Sequence, residues 1–332
     1  MAKRGGSSEP EKKRKKKQQK TSHETSPAAA QQSTISIALP GSVIDNCQTR
    51  EQATAVAGQI ARTAAIFNVD EVVVIDDSGA RAGEVGAGAA FLARILQYME
   101  TPQYLRKALV AMHQDLRMAG SLSPLDAPHH LRASEWGPFR EGVVKSSDPA
   151  WGSVLDIGLE QDAYVEQALR TGLRVTLAMG ESKEHSTISK GPLSGQVVIK
   201  GRIAHPLDPK QQHGLYWGYQ TRLAPSLAAA LEDCPFQASY DLKIGTSERG
   251  DVSPAKDLRL PAARHVLVAF GGPLGLEHCQ RAAGKGDGSE VGAMFDVYLN
   301  TCPKQGSRTI RTEEAILISM AYLQDALQAL SG

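Results

Sequence analysis

Cysteine is scarce in this sequence of 332 residues: Cys47, Cys234, Cys279 and Cys302 lie far apart and form no C-x-x-C pair. That pattern supports neither a zinc site nor a disulfide framework, and it suits a reducing compartment. Long apolar runs are missing too. Nothing approaches the roughly 18 to 20 apolar residues that cross a bilayer, and no apolar segment follows the N-terminal charges as in a signal peptide, so no membrane role is expected. Neither the G-x-G-x-x-G spacing nor the Walker pattern occurs, which counts against a dinucleotide-dependent oxidoreductase and against a P-loop enzyme. His185, His205 and His213 have no metal-ligand spacing, His265 and His278 read as packing or helix-end residues, and no Ser-His-Asp set can be assembled.

What is present begins with charge. The net charge of +1 divides unevenly, because the first 20 residues hold nine Lys or Arg against two Glu, leaving +7 on that stretch and −6 on the rest. Residues 1–32 are polar and aperiodic and are expected to be a disordered basic tail. Its cluster Lys12, Lys13, Arg14, Lys15, Lys16 and Lys17 suits nuclear or nucleolar import, with the cytoplasm as a further location, or loose phosphate contact; a tail that only aids solubility is the plainer alternative. The remaining length suits two modest domains.

Residues 34–39 alternate and end at Pro40-Gly41, a strand and turn. Residues 49–67 carry Ala, Val and Ile at helical spacing, and residues 70–76, with Val72 to Ile75 at their centre, read as a buried strand. Together they read as a β-α-β unit with parallel strands. After a Gly- and Ala-rich loop, residues 91–112 read as two helices split at Pro102. Composition then changes. Residues 124–225 hold a connector with His129, His130 and Trp136, followed by five short candidate strands, the last over residues 215–223, as in a small inserted barrel. Lys200, Arg202, Trp217, Tyr219 and Arg222 are candidates for a base-stacking, phosphate-binding face, with core packing the alternative for the aromatics.

Residues 226–332 return to an α/β pattern. The strand at 240–245 enters Thr246, Ser247 and Arg249; the strand at 265–270 (HVLVAF) enters Gly271-Gly272-Pro273-Leu274-Gly275; a strand at 294–299 enters a long polar loop, residues 300–311. Apolar runs of this kind suit a parallel sheet, whose carboxyl edge is where open α/β folds bind ligands. A final helix follows from Thr312, a candidate N-cap ahead of Glu313 and Glu314.

The segments FGGPLGLE and NTCPKQGSRTIRTEEAILISMAYL, with residues 35–42 and 244–250 upstream, resemble the SPOUT superfamily of RNA methyltransferases, in the eukaryotic and archaeal branch with an inserted OB-fold-like domain. The resemblance covers nearly all of the chain after residue 33. It implies an α/β SPOUT fold over residues 33–123 and 226–332 with a C-terminal trefoil knot, an OB-like insert over 124–225, a homodimer, and S-adenosyl-L-methionine bound in the knot. The cofactor walls it implies are Gly271, Gly272, Pro273, Leu274 and Gly275; Leu299, Asn300, Thr301 and Cys302; and Gln305, Gly306, Ser307, Thr309 and Ile310, with Thr246 and Ser247 alongside.

Methyl transfer needs little from the protein beyond positioning. Arg311 and Arg249 are candidates to hold a phosphate or offset charge on a uracil ring, and Glu313 to accept its proton. Glu313 and Glu314 equally suit a helix N-terminus and nothing more. The expected activity is methylation of a base in ribosomal RNA, uridine N3 first among candidates. The alternative is a catalytically silent RNA-binding scaffold in ribosome assembly or at the mitotic spindle; the intact Gly271, Gly272 and Asn300 favour a working pocket. No metal is expected.

Overall fold

The computed structural model describes residues 33–330, apart from 82, 190, 192, 193, 283, 285–287 and 289, together with Met1. The tail expected over residues 2–32 lies outside the described residues. The fold is mixed α/β and is built on two sheets.

β1 (Thr34–Pro40), α1 (Arg50–Ile66) and β2 (Glu71–Ile75) form the expected parallel unit, with Ser36 opposite Glu71 and Pro40 opposite Ile75. α1 starts at Thr49, whose hydroxyl accepts the Gln52 N–H at 3.2 Å, and ends where Asn68 turns left-handed at φ 53°. A short polar side chain tolerates that conformation. α2 (Ala87–Glu100) returns over the sheet and packs on α1 and β2, and α3 (Arg106–Leu109) is a single turn after Pro102.

The second sheet follows: β3 (Phe139–Asp148), β4 (Gly152–Asp156), β5 (Ala163–Val165), β6 (Arg174–Ala178), β7 (His185–Thr187), β8 (Val197–Lys200) and β9 (Arg202–Ile203). Its order is β7-β8-β5-β4-β3-β6-β9, antiparallel throughout except for the parallel pair β5–β8. α4 (Asp208–His213) then leads back to β10 (Gln220–Ala224) and α5 (Leu227–Glu232).

β10 corrects one expectation. The strand foreseen at residues 215–223 as part of the barrel forms instead at Gln220–Ala224 and pairs parallel with β2, Thr221 opposite Val72. The remaining elements complete the first sheet: β11 (Leu242–Asp251), β12 (His265–Ala269), α6 (Gly275–Ala282), β13 (Val297–Leu299) and α7 (Thr312–Gln328). The order is β10-β2-β1-β12-β11-β13, and every pairing is parallel.

Burial explains the near-continuous apolar strands. Ile37, Leu39, Val72, Val74, Val266 and Val268 face one core with α1, α2 and α7, while Ala38, Val73, Ile75, Leu267 and Ala269 face a second core with α5 and α6. Both faces are covered, so period-2 alternation of polarity disappears. Glu71 is fully buried on the second face and is matched by Arg222 Nε at 2.8 Å, Ser36 Oγ at 2.8 Å and Tyr240 Oη at 2.5 Å. Burying a carboxylate in a parallel strand demands such partners.

Candidate functional site

All six strands of the parallel sheet end on one edge, and the backbone of several strand ends comes close enough there to exclude side chains. After β12, Gly271 to Gly275 form a tight reversal, with the Gly275 N–H donating to Gly272 O at 3.0 Å and Gly275 itself at φ 77°. A Cβ on Gly271 would lie 2.8 Å from Gly275 Cα and 2.8 Å from Leu276 N. One on Gly272 would lie 2.8 Å from Pro40 Cγ and 2.9 Å from Ser42 Oγ. Glycine is required here by close approach of backbone, not by flexibility alone. Pro273 and Leu274 are exposed at the tip, Leu274 at 65%.

β11 extends further than its polar sequence implied. Thr246, Ser247 and Arg249, expected in a loop, stand inside the strand, and a register irregularity lets both Thr246 and Asp251 meet Leu299. Thr246 Oγ1 donates to Ala269 O at 2.9 Å, fixing β11 to β12. Arg249 is largely exposed, with Nη1 at 3.5 Å from Glu277 Oε1. Tyr298, on β13, is partly buried beside these groups; burial raises its phenol, and Ser247, Glu277 and Arg249 all act on it.

Past β13, Asn300 closes the junction: its N–H donates to Asp251 O at 2.9 Å, its Nδ2 to Glu248 O at 2.9 Å, and its Oδ1 accepts from the Cys302 N–H at 3.0 Å. Thr301 Oγ1 lies 2.7 Å from Ser319 Oγ on α7. Leu299 is buried in the core, so only its backbone is available to a ligand. Gln305, Ser307 and Thr309 bond locally: Gln305 Nε2 donates to Ser307 O at 3.0 Å, and Ser307 Oγ to Thr309 O at 2.7 Å. Gly306 has open space where a side chain would be, and Ile310 is half-buried.

α7 brings this loop back to the β12 reversal. Thr312, expected to cap the helix, is its first residue instead, and its hydroxyl donates to Gly271 O at 2.9 Å. Glu314 takes over the capping role by accepting the Arg311 N–H at 2.9 Å. Arg311 is exposed, while Glu313 is only 9% exposed. Both act electrostatically on Cys47, whose thiol is pushed up by burial and then by Glu313 and Asp45, against the opposing pull of Arg311. The start of α7 thus borders the loop after β1.

Two residues at this edge, Ser42 and Asp77, were not among the site residues expected from the sequence. Asp77, after β2, accepts the Ser42 N–H at 3.0 Å and also the Ser42 hydroxyl. Their signal was positional: each follows the carboxyl end of a parallel strand, as Gly271 and Asn300 do. Asp77 also helps hold the Cys279 thiol, raised first by burial, at about 12, which keeps that thiol unreactive at neutral pH.

The five residues proposed above for a nucleic-acid face divide. Lys200 and Arg202 are exposed. The other three are structural: Trp217 Nε1 donates to Glu141 at 2.7 Å, buried Tyr219 donates to Leu96 O at 3.0 Å, and Arg222 pairs with Glu71. A hollow of about 310 Å³ lies at the opposite, amino edge of the sheet, lined by Ser33, Ile35, Phe67, Lys210 and Tyr216 among others.

Residues 34–323 match the profile of a protein family described as "Putative RNA methyltransferase". The chain is similar to the 28S rRNA (uridine-N(3))-methyltransferase of Homo sapiens, 48% identical over 307 residues that cover 89% of this chain and 78% of that protein. Its counterpart of the same name in Mus musculus is 47% identical over 89% of this chain and 77% of its own length. "Putative methyltransferase spot-1" of Caenorhabditis elegans is 33% identical over 90% of this chain and 82% of that protein.

Proposed function

The chain belongs to the RNA methyltransferase family that residues 34–323 match, and from that membership we propose that it methylates N3 of a uridine in large-subunit ribosomal RNA, using S-adenosyl-L-methionine. The observation that carries the substrate is the 48% identity, over 89% of this chain, to a protein named for that reaction. For the fold we propose a trefoil knot formed where residues 300–311 and α7 pass the β12 reversal; the Thr312–Gly271 and Thr301–Ser319 bonds support it. We further propose that the seven-stranded sheet is an OB-like insert in a methyltransferase domain that also claims β10, that the protein works as a homodimer, and that the basic tail directs it to the nucleus or nucleolus.

The carboxyl edge fits the cofactor by its donor set. The backbone N–H groups of Gly306, Ser307, Arg308 and Ile310 bond to no described residue, and Leu274 and Ile310 add apolar surface. Gly271, Gly272, Pro273, Leu274 and Gly275 would hold one side, Asn300, Thr301 and Cys302 with the Leu299 backbone another, Gln305 to Ile310 a third, and Thr246 and Ser247 the floor. Bound there, S-adenosyl-L-methionine supplies an electrophilic methyl group on a sulfonium.

The chain's own residues handle the acceptor. Neutral uracil carries a proton on N3, and this proton must leave as the new N–C bond forms. Glu313, a carboxylate without a hydrogen-bonded partner among the described residues, takes that proton. Arg311 beside it offsets the charge on the ring, and exposed Arg249 contacts a flanking phosphate. A transfer assay on ribosomal RNA with labelled S-adenosyl-L-methionine tests the assignment. Glu313→Gln should lower kcat about 10²- to 10⁴-fold, the range for a lost general base, with cofactor affinity retained; wild-type kcat in that variant would remove Glu313 from the mechanism.

A further inference from the structure

The two sheets keep separate apolar cores, and beside the aromatic contacts of Phe139 with Trp217 and His213 a polar cluster fastens one to the other. At the C-terminal end of α2, the Glu100 carboxylate accepts from Arg174 Nη1 and Nη2 at 2.6 and 2.9 Å. Arg174 Nε donates to Glu141 at 2.6 Å, and the other Glu141 oxygen accepts from Thr176 Oγ1 at 2.6 Å and Trp217 Nε1 at 2.7 Å. His129, fully buried, places Nε2 2.9 Å from the Glu100 carbonyl and 3.1 Å from its carboxylate. A guanidinium forked between two buried carboxylates has one good geometry, unlike an apolar contact that can slide.

The other end of α2 rests on the candidate site's edge. The Gly86 N–H donates to Asp76 Oδ2 at 2.8 Å, and Gly41, directly before Ser42, lies so close to Ala89 that a Cβ on it would be 2.5 Å from the Ala89 N. Fourteen helical residues make α2 a strut about 21 Å long, with the proposed methyl-transfer edge at one end and the second sheet clamped at the other. That sheet presents surface suited to RNA: Lys183 Nζ stands 5.6 Å over the half-buried Trp136 ring, and Lys200 and Arg202 are exposed.

We infer that Arg174 is a positioning residue, holding the seven-stranded sheet as an arm that grips RNA at a fixed distance from the uridine being methylated. This rests on the methyltransferase reading above. The length of α2 corresponds to about six nucleotides at about 3.4 Å each, so an RNA of that order or longer is needed to touch both places. Shorter RNA reaches one place at a time and gains nothing from the arm.

The test compares a structured ribosomal RNA fragment with an oligonucleotide of about four residues, measuring binding by fluorescence anisotropy and KM and kcat by methyl transfer. Wild type should prefer the long RNA. Arg174→Met should raise its Kd and KM about tenfold, leaving kcat, the short RNA's KM and S-adenosyl-L-methionine affinity unchanged. Trp217→Phe, which keeps a smaller aromatic ring but removes the N–H to Glu141, should shift the same quantities less and covers the case in which Arg174→Met does not fold. No length preference in wild type, an unaltered preference in both folded variants, or an equal fall of kcat on both RNAs would overturn the inference. Because anisotropy needs no turnover, a length preference without methyl transfer would sustain the arm while rejecting the enzyme reading.

Discussion

Gly271→Ala is the smallest change that probes the proposed cofactor wall. The new methyl group would sit 2.8 Å from Gly275 Cα and 2.8 Å from Leu276 N, about 0.7 to 1.2 Å inside the usual carbon contact distance. Both obstacles are backbone, and Leu276 is buried in the second core, so no side chain can swing away. Relief requires the 272–275 reversal to move outward with the first turn of α6, and overpacking of this kind costs about 1–3 kcal/mol. If bound S-adenosyl-L-methionine needs the native wall, restoring it against that strain weakens affinity by the same amount, roughly 5- to 150-fold. Calorimetric titration gives the affinity, and thermal unfolding shows whether the variant is folded. Wild-type affinity in a folded variant would refute the placement of the cofactor against this reversal.

Thr312→Val should lower stability by about 1–2 kcal/mol, because the hydroxyl meeting Gly271 O is lost without loss of volume; urea denaturation reads it, and an unchanged midpoint would contradict the role given to that bond. Lys210→Met should cost about 3–5 kcal/mol by stranding buried Asp70, whose carboxylate oxygens lie 2.6 and 2.7 Å from Lys210 Nζ, and the double variant with Asp70→Asn should recover most of that loss. Acid should act in two windows. Burial and the neighbouring His129 hold His130 at about 4, while an unfolded imidazole takes its proton near 6.5, so stability falls as pH drops from about 6.5 to 4. Burial raises the Glu100 carboxyl, but Arg174 and His129 bring it down to about 2, below its unfolded value of about 4.3, so its contribution is present above that value and is lost as pH falls through 2. Urea midpoints across pH 7.5 to 2 should show both slopes, with the lower one absent in Glu100→Gln.

The parallel core was legible because strands covered on both faces are apolar at every position, as at Val72 to Ile75, and because the β12 reversal and the loop from Asn300 announce chain ends at a sheet edge. β10 was not. Gln220-Thr221-Arg222-Leu223-Ala224 is an edge strand with polar residues, and its partner β2 lies far upstream, so nothing local marks it for the first sheet rather than the second. Trp217, Tyr219 and Arg222 have the composition of a stacking platform, but their partners, Glu141, Leu96 and Glu71, come from distant segments. Thr312 shows the same limit on a smaller scale: its residue type suits a cap, yet a carbonyl from the reversal after β12 claims its hydroxyl. Asp77 carried no motif, and Ser42, though at the end of the 35–42 segment, had no role assigned to it. Only the topology that sets β1 and β2 beside β12 makes them neighbours of the glycine reversal.

The most direct test of the central claim is the identity of the methylated nucleoside. Large-subunit ribosomal RNA from cells lacking the protein, treated with purified protein and labelled S-adenosyl-L-methionine, can be digested and resolved by chromatography with mass detection. The account predicts label in 3-methyluridine, at one position, and none with Glu313→Gln. Label on a ribose oxygen or a pyrimidine carbon, or none at all from protein that binds the cofactor, would contradict it.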